Sequence, residues 1–277
     1  MSSLLAQVTA FFLWINTLYL RLTAYLNQTL FCDSPLVTSR YGKFVHKIVV
    51  IGDDFAYGVG DTTRLGMIPG VAHHLHSKFK KEVKLKHAWE LFNQGRINST
   101  SYDWLPRSEL NQSSDSKGYF DKVFSSKRME FAEVVIVMIG FNDARAVNLG
   151  RKPISAAETV QNVKSICKVL RNLGKDVWVC TPCTNGDKAN LSPAQCEENL
   201  ERVDGIAAYL TANEDGVAMG PRLDANSYEF KSRDFYSQDG VYFTKKAYIK
   251  LSKDFNDMML TSLIKREFES MKALLGL

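Results

Sequence analysis

The residues best suited to chemistry stand at the ends of apolar runs. Asp53 and Asp54 follow the β-branched run 48–51, and Asn142 follows the apolar run 134–139. Unbroken runs of this kind are typical of parallel strands that helices cover on both faces. In open α/β sheets, ligands bind at the carboxyl ends of such strands. The spacing therefore predicts that these two carboxylates and this amide meet at one edge of a sheet.

Four segments, in order, resemble the signature blocks of the SGNH (GDSL-type) hydrolases. They are the segments 52–60, 93–104, 140–143 and 239–248, which begin Gly-Asp-Asp, Asn-Gln-Gly, Gly-Phe-Asn and Asp-Gly-Val. In that family a serine attacks an ester carbonyl, a histidine takes the serine proton, and an aspartate three residues earlier orients the histidine. A glycine N–H and an asparagine side chain bind the oxyanion. The resemblance covers about residues 47–262 and implies the SGNH hydrolase fold.

Three positions of the family's catalytic set differ in this chain. The serine position holds Asp54, the histidine position holds Tyr242, and the oxyanion glycine aligns with Asn98, whereas Asn142 and Asp239 are retained. A tyrosine with an ordinary pKa of about 10 is a poor general base at neutral pH. Loss of one triad member costs on the order of 10⁴ to 10⁶ in rate. We therefore expect these five residues to form a remnant site without catalytic activity.

Two functions are compatible with these residues. The first is a pseudoenzyme, an inactive SGNH hydrolase-like domain that serves as a structural or accessory subunit of a membrane-associated assembly. The second is an ester or acyl hydrolase whose catalytic groups are rearranged around Asp53, Asp54, Asn142 and Asp239. A histidine or an activated water within hydrogen-bond reach of Asp54 or Tyr242 would favour the hydrolase.

The N-terminal segment has a composition unlike that of the rest of the chain. Residues 3–31 carry one charge, Arg21, and their apolar side chains fall on one helical stripe: Leu4, Val8, Phe11, Ile15, Leu18, Leu22 and Tyr25. The run approaches the ~20 residues that span a bilayer, but several polar residues lower its hydropathy. It is compatible with a helix in or on a membrane, a helix on a protein subunit, or a retained targeting sequence.

This segment predicts how the chain is divided and where it is located. We expect an apolar helical anchor over 1–33, a linker over 34–46 and the SGNH hydrolase-like domain over 47–277. A chain that lacks residues 1–33 should still fold. The anchor predicts membrane association, in a mitochondrial or other organellar membrane or in the secretory pathway, with lipid or other protein subunits as partners of residues 3–31.

Apolar strands and helical patterns alternate along the domain, which predicts a parallel sheet with right-handed crossovers. We expect a flavodoxin-like, three-layer α/β/α fold with five parallel strands, near 48–51, 84–92, 134–139, 176–181 and 216–219. The helices are expected near 60–80, 156–173 and 194–212, with a further helix toward the C-terminus.

Charge and cysteine spacing argue against other classes of function. The net charge of +5 is spread along the chain without a long basic run, so we expect no nucleic-acid partner. Cys180 and Cys183 have metal-ligand spacing but lack a second pair, and His73, His74 and His76 have no evident carboxylate partner, so we expect neither a metal nor another cofactor. Whether Cys183 and Cys196 form a disulfide is left open.

Overall fold

A computed structural model describes residues 2–31, 33–38, 44–61, 64–110, 116–213, 215–224, 230–237 and 240–276. Asp239 of the predicted site lies outside the described residues. The remaining residues of that site, Asp54, Asn98, Asn142 and Tyr242, are all described.

The core of the molecule is a six-stranded, mostly parallel sheet. In chain order its strands are β1 (Leu36–Val37), β2 (Val45–Gly52), β3 (Ala88–Asn93), β4 (Val134–Met138), β5 (Asp176–Val179) and β6 (Ala218–Met219). Their order across the sheet is β1-β3-β2-β4-β5-β6. The five parallel strands therefore have the flavodoxin-like order, and the predicted α/β fold is confirmed.

The strand count was predicted one too low. Strand β1 pairs antiparallel with β3 at the edge of the sheet, through Leu36 opposite Leu91 and Val37 opposite Glu90. It lies inside the segment expected to be a linker. A two-residue strand is too short to leave a periodic pattern in the sequence, and its proline- and serine-containing surroundings are typical of a loop.

Helices cover both faces of the sheet. In chain order they are α1 (Ser2–Leu26), α2 (Asp54–Tyr57), α3 (Gly70–Phe79), α4 (Tyr119–Phe124), α5 (Ala156–Asn172), α6 (Asp187–Asn190), α7 (Pro193–Ala212) and α8 (Lys245–Leu275). Side chains alternate along β2, so Ile48 and Val50 pack toward α3 and α8 whereas Val49 and Ile51 pack toward α4, α5 and α7. This alternation produces the predicted three layers.

The helix predicted over 60–80 begins later than expected. Residues 64–69 are not helical, and α3 starts at Gly70, whose N–H donates to Asp61 Oδ2 at 2.9 Å. The same carboxylate oxygen lies 2.9 Å from His74 Nε2. His74 is therefore a buried member of an Asp–His pair, and our expectation that it has no carboxylate partner was wrong.

The four described cysteines are free thiols. Cys183 and Cys196 are not bridged, which answers the question that the sequence left open. Burial raises the pKa of the Cys183 thiol to about 12, so this sulfur is protonated at neutral pH. We conclude that Cys183 has a packing role.

Helix α1 occupies the N-terminal segment, and a π-helical turn, Asn27–Phe31, follows it. Its described side chains from Gln7 to Leu22 are all exposed, including Phe12 at 65% and Trp14 at 60%. Among the described helices, none has both the length and the apolar character required to cross a membrane.

The base of α1 packs on the domain. Asn27 Nδ2 donates to the carbonyl oxygens of Arg64 and Met67, and Asn27 Oδ1 accepts from the Gly66 N–H at 2.9 Å. Arg96 donates to the Gln28 carbonyl at 3.0 Å. These contacts fix the last turns of the segment against loops at the carboxyl edge of the sheet. The division at residue 33 stays a prediction, but a truncation meant to spare these contacts must keep residues from about Thr23 onward.

Candidate active site

The Asp54 carboxylate is the centre of the site. Its Oδ1 accepts hydrogen bonds from the Asn98 N–H at 2.6 Å and from Asn142 Nδ2 at 3.0 Å. Its Oδ2 accepts one from the Tyr242 hydroxyl at 3.0 Å. The structure thus brings together four of the five residues that the sequence singled out. The chain's own carboxylate occupies the two donors that would form an oxyanion hole.

The turn after β2 aims Asp54 into this position. Gly52 has φ 137°, and a Cβ at this residue would lie 1.8 Å from the Met138 carbonyl oxygen, so the close approach of β2 and β4 requires glycine. Asp53 caps α2 by accepting from the Phe55 N–H at 3.1 Å. Its other oxygen accepts from the Phe141 N–H at 3.0 Å. Asp53 therefore holds the turn, and Asp54 faces the site.

Asn98 keeps the backbone geometry that the family's glycine provides. Its φ is 59°, in the left-handed region, and asparagine is one of the few non-glycine residues that enter this region at low cost. The side chain is exposed and the N–H points at Asp54. The bulk that asparagine adds in place of glycine therefore lies outside the site.

A second carboxylate, that of Asp143, stabilises the loop after β4. Asn142 Nδ2 also donates to the Ser99 carbonyl at 3.0 Å, which ties this loop to the turn that contains Asn98. Asp143 accepts from the Ser101 N–H at 2.8 Å and from the Thr159 hydroxyl at 2.7 Å. Both oxyanion-type donors are therefore positioned by one hydrogen-bonded unit.

Arg202 completes this unit and is fully buried. Its Nε donates to the Thr159 hydroxyl at 2.8 Å, its Nη1 donates to Asn199 Oδ1 at 3.0 Å, and its Nη2 donates to the Ile154 carbonyl at 2.7 Å. Sequence reasoning missed this role, because a lone arginine in a helical pattern is usually exposed. A buried arginine is retained only where such partners compensate its desolvation.

Tyr242 reaches Asp54 from the segment before α8. Its carbonyl accepts from the Ser237 N–H at 2.8 Å, and its ring packs beside Phe55 and Phe141, with centroids 6.0 and 5.6 Å away. The phenol hydroxyl donates a hydrogen bond to the Asp54 carboxylate. It does not occupy the role of a general base in this arrangement.

Burial dominates the electrostatics of the adjacent carboxylates. It raises the pKa of Asp53 well above its ordinary value, and the neighbouring Asp54 charge raises it further. Burial also raises the pKa of Asp54, against the hydrogen bonds from Asn142, Asn98 and Tyr242, which favour the charged form. A cavity of about 10 Å³ beside Asp53 has room for a single water molecule.

Four of the five histidines have their ring nitrogens beside groups other than Asp54 and Tyr242. His46 Nδ1 lies 2.9 Å from Glu133 Oε1, and His46 Nε2 lies 2.9 Å from His87 Nδ1, at the amino edge of the sheet. His74 pairs with Asp61, and His76 Nε2 lies 3.0 Å from the Val37 carbonyl. Among the described residues, the hydrogen bonds to Asp54 come from an amide N–H, an asparagine and a tyrosine.

Comparison with known proteins gives a consistent fold. No family model matches the chain, and no curated protein matches it. A lipase/acylhydrolase from Enterococcus faecalis superposes with a TM-score of 0.55 at 16% identity, over 77% of this chain and 95% of the other. A putative GDSL-like lipase from Parabacteroides merdae gives 0.56 at 12% identity, over 79% and 97%.

A third similar structure is a catalytic mutant of Axe2, an acetylxylan esterase from Geobacillus stearothermophilus, with a TM-score of 0.54 at 15% identity, over 79% of this chain and 95% of that chain. These structures share the sheet and its helical layers with this chain at identities that establish the fold alone. The resemblance in the four sequence blocks and the strand order agree with them. The chain has the fold of the SGNH (GDSL-type) lipases and acylhydrolases.

Proposed function

We propose that this protein is a catalytically inactive SGNH hydrolase-like domain that serves as a structural or accessory subunit of a membrane-associated assembly. The observation that carries the proposal is the position of the Asp54 carboxylate on the Asn98 N–H and on Asn142 Nδ2. A substrate oxyanion would need the same two donors. The group at the nucleophile position therefore competes with the transition state for the site.

The remaining groups do not supply the missing chemistry. A carboxylate that attacked an ester would form an anhydride, whose turnover needs an activated water, and the Tyr242 hydroxyl donates to Asp54 instead of accepting a proton. These facts support a fold retained for its shape and surfaces.

The exposed N-terminal helix supports the second half of the proposal. Apolar residues cover most of the described surface of α1, and a hydrophobic helix that the domain does not cover gains stability when lipid or another subunit covers it. The hydrogen bonds of Asn27 hold its base in a fixed place on the domain. A fixed base suits a subunit that must present its domain in one orientation.

The alternative is an ester or acyl hydrolase with a rearranged site. One observation favours it: Asp53 and Asp54 are adjacent, buried, and have raised pKa values. Carboxylates with perturbed pKa values are common in active sites, although buried structural pairs show the same shifts. The solved structures that share the fold also carry the names of lipases and esterases.

The test is hydrolysis of short p-nitrophenyl esters by the purified chain, with a fluorophosphonate label to exclude a contaminating serine esterase. We expect no turnover above background for the wild type, and none for Asp54→Ser or Tyr242→His alone, because nucleophile and base act as a unit. The double variant gains both groups and is expected to show a trace of activity. Wild-type turnover that Asp54→Ala abolishes would establish the rearranged hydrolase instead.

A further inference from the structure

The C-terminal helix continues past the sheet. The helix runs along the sheet from its carboxyl edge, where the Tyr248 hydroxyl donates to the Val59 carbonyl at 3.0 Å, to its amino edge. There Arg266 Nη2 lies 2.5 Å from Asp176 Oδ2, and Glu267 accepts from the Lys86 N–H at 2.8 Å. Residues 268–275 follow, and at 1.5 Å per residue they extend about 12 Å farther.

The core-facing stripe of α8 continues into this extension. Leu260 and Ile264 pack against the core, and the same spacing leads on to Phe268, Met271 and Leu275. No described residue after Glu267 is buried, and Leu274 is 65% exposed. The end of the helix is therefore an apolar surface with no described part of this chain beneath it.

The loops that enter the strands add to the same edge. Val83 precedes β3, Phe131 precedes β4 and Leu173 precedes β5, with exposures of 74%, 69% and 55%. The parallel pairing places the starts of β3, β4 and β5 along one edge of the sheet, with the start of β2 between those of β3 and β4. We call this set the basal surface: Val83, Phe131, Leu173, Phe268, Met271, Leu274 and Leu275.

Basic residues are concentrated in the segments that carry the basal surface. The charged side chains of loops 80–86 and 127–131 and of the last turns of α8 are mostly basic. The basic ones include Lys80, Lys81, Lys84, Lys86, Lys127, Lys265 and Lys272, and the acidic ones include Glu82, Glu130 and Glu269, whereas the Arg128 guanidinium donates to the Asp33 carbonyl at 2.8 Å. Lys47 Nζ donates to the Arg128 carbonyl at 3.0 Å, which fixes that loop beside the start of β2. This concentration of charge predicts an anionic partner.

We propose that the basal surface docks on an anionic lipid membrane. Three of its apolar side chains stand singly on loops and four lie together on the end of α8, with lysines in the same segments. This arrangement lets each apolar side chain enter the headgroup region while the ammonium groups meet lipid phosphates. A groove for a protein helix would instead present a continuous apolar trough. The proposal is independent of the Asp54 site, and the base of α1 lies at the opposite edge of the sheet.

The test is co-sedimentation of the full chain with vesicles of phosphatidylcholine alone or with about one third phosphatidylglycerol. The difference between the two isolates the charge-dependent contact from any contact that α1 makes with neutral lipid. We expect tighter binding to the anionic vesicles, weakened by salt. The variant Lys80→Glu/Lys81→Glu/Lys84→Glu should bind them at least about tenfold more weakly, since each basic residue near the surface contributes to binding.

A matched control carries the same change of charge elsewhere. Lys152, Lys188 and Lys231 are exposed and lie outside the basal surface, so their triple replacement by glutamate should leave binding close to wild type. Leu274→Gln/Leu275→Gln tests the apolar part, because glutamine keeps helix propensity and neither leucine is buried. Circular dichroism and thermal unfolding establish that each variant folds.

Two results would overturn the proposal. The first is an equal loss of binding to anionic vesicles in the two triple variants, which would show that binding depends only on the net charge of the chain. The second is a wild-type chain without preference for anionic vesicles. If the basal charge reversal then releases the chain from a purified native assembly, the occupant is an acidic protein surface and the membrane contact is wrong.

Discussion

The carboxyl edge of the sheet differs from the rest of the surface in how its side chains are partnered. Its polar side chains bind one another, whereas α1 and the amino edge expose apolar side chains without such partners in the described chain. At the carboxyl edge, Asp54, Asn98, Asn142 and Tyr242 are paired with one another. At α1 and the basal surface, large apolar side chains such as Trp14 and Phe131 are exposed. The region with chemical residues is thus internally satisfied, and the regions without them have surface left to bind.

The largest loss of stability is expected from Arg202→Met, which removes the buried hydrogen bonds that support the site. The variant leaves Asn199 Oδ1 and the Ile154 carbonyl without their donor and Asp143 without a nearby positive charge. Removing one partner of a buried charged network costs about 3–5 kcal/mol. Urea denaturation measures the loss. Arg107→Met, at an exposed position, should change stability by about 0.5 kcal/mol or less, and equal effects would show that Arg202 has no special role.

Asn27→Ala tests the junction between the two regions. It removes three partly buried hydrogen bonds to the loop 64–67, and at roughly 1 kcal/mol each the expected loss is about 2–3 kcal/mol. Thermal unfolding and limited proteolysis after residue 26 report it, with Gln7→Ala as the exposed control. A variant as stable and as protease-resistant as the wild type would mean that these hydrogen bonds do not hold α1 on the domain.

Tyr242→Phe removes a single bond to the buried carboxylate. A hydrogen bond to a charged group contributes about 1.5–3 kcal/mol, and the lower end applies because the Tyr242 ring is only half-buried. Denaturation at neutral pH measures it against Tyr19→Phe, at an exposed position on α1. Equal free energies of unfolding for the two variants would show that the Tyr242 hydroxyl does not bind Asp54.

Asp54→Asn changes the pH dependence of stability more than stability itself. The introduced amide keeps an oxygen for Asn98 and Asn142 and places its nitrogen beside the Tyr242 hydroxyl. Because burial raises the pKa of Asp54, its contribution to stability is fully present below the unfolded pKa of about 4 and is lost as pH rises through the folded value. The variant should therefore lose less stability than the wild type as the pH rises above about 4. Parallel curves of unfolding free energy against pH would contradict the raised pKa.

Phe12→Gln should have the smallest effect on folding. This side chain is 65% exposed, so stability should change by about 0.5 kcal/mol or less. Recovery of the chain with native membranes should fall nonetheless, since the change removes apolar surface that a partner would cover. A large loss of thermal stability would place Phe12 in a contact with the domain.

Most of the fold could be predicted from apolar runs, whereas the bonds within the site could not. The run 134–139 predicted a buried strand because β-branched residues covered on both faces leave an unbroken pattern. Strand β1 has two residues and leaves none. The predicted strand 84–92 begins at Ala88, since Leu85 is buried yet lies in a loop, and burial alone does not distinguish the two.

The positions of the site residues follow from the family blocks, but their pairing does not. Sequence order indicates that Asp54 and Asn142 share an edge. It does not indicate that the carboxylate turns toward Asn142 and takes the donor itself. The roles of Thr159 and Arg202 depend on how α5 and α7 pack, because their contacts join residues 43 positions apart. Such contacts have no local signature in one sequence.

The buried amide of Asn27 also has a consequence for modification of the chain. Asn27-Gln28-Thr29 is a sequon, and N-glycosylation attaches sugar to the asparagine side-chain nitrogen. That nitrogen donates to the backbone carbonyls of Arg64 and Met67, at the two ends of the loop 64–67. A glycan at Asn27 would keep the base of α1 from seating, whereas Asn98 and Asn190 are exposed sequons on the folded surface. Should the domain enter a glycosylating compartment, sugar at Asn98 with none at Asn27 would mark chains that folded with α1 in place.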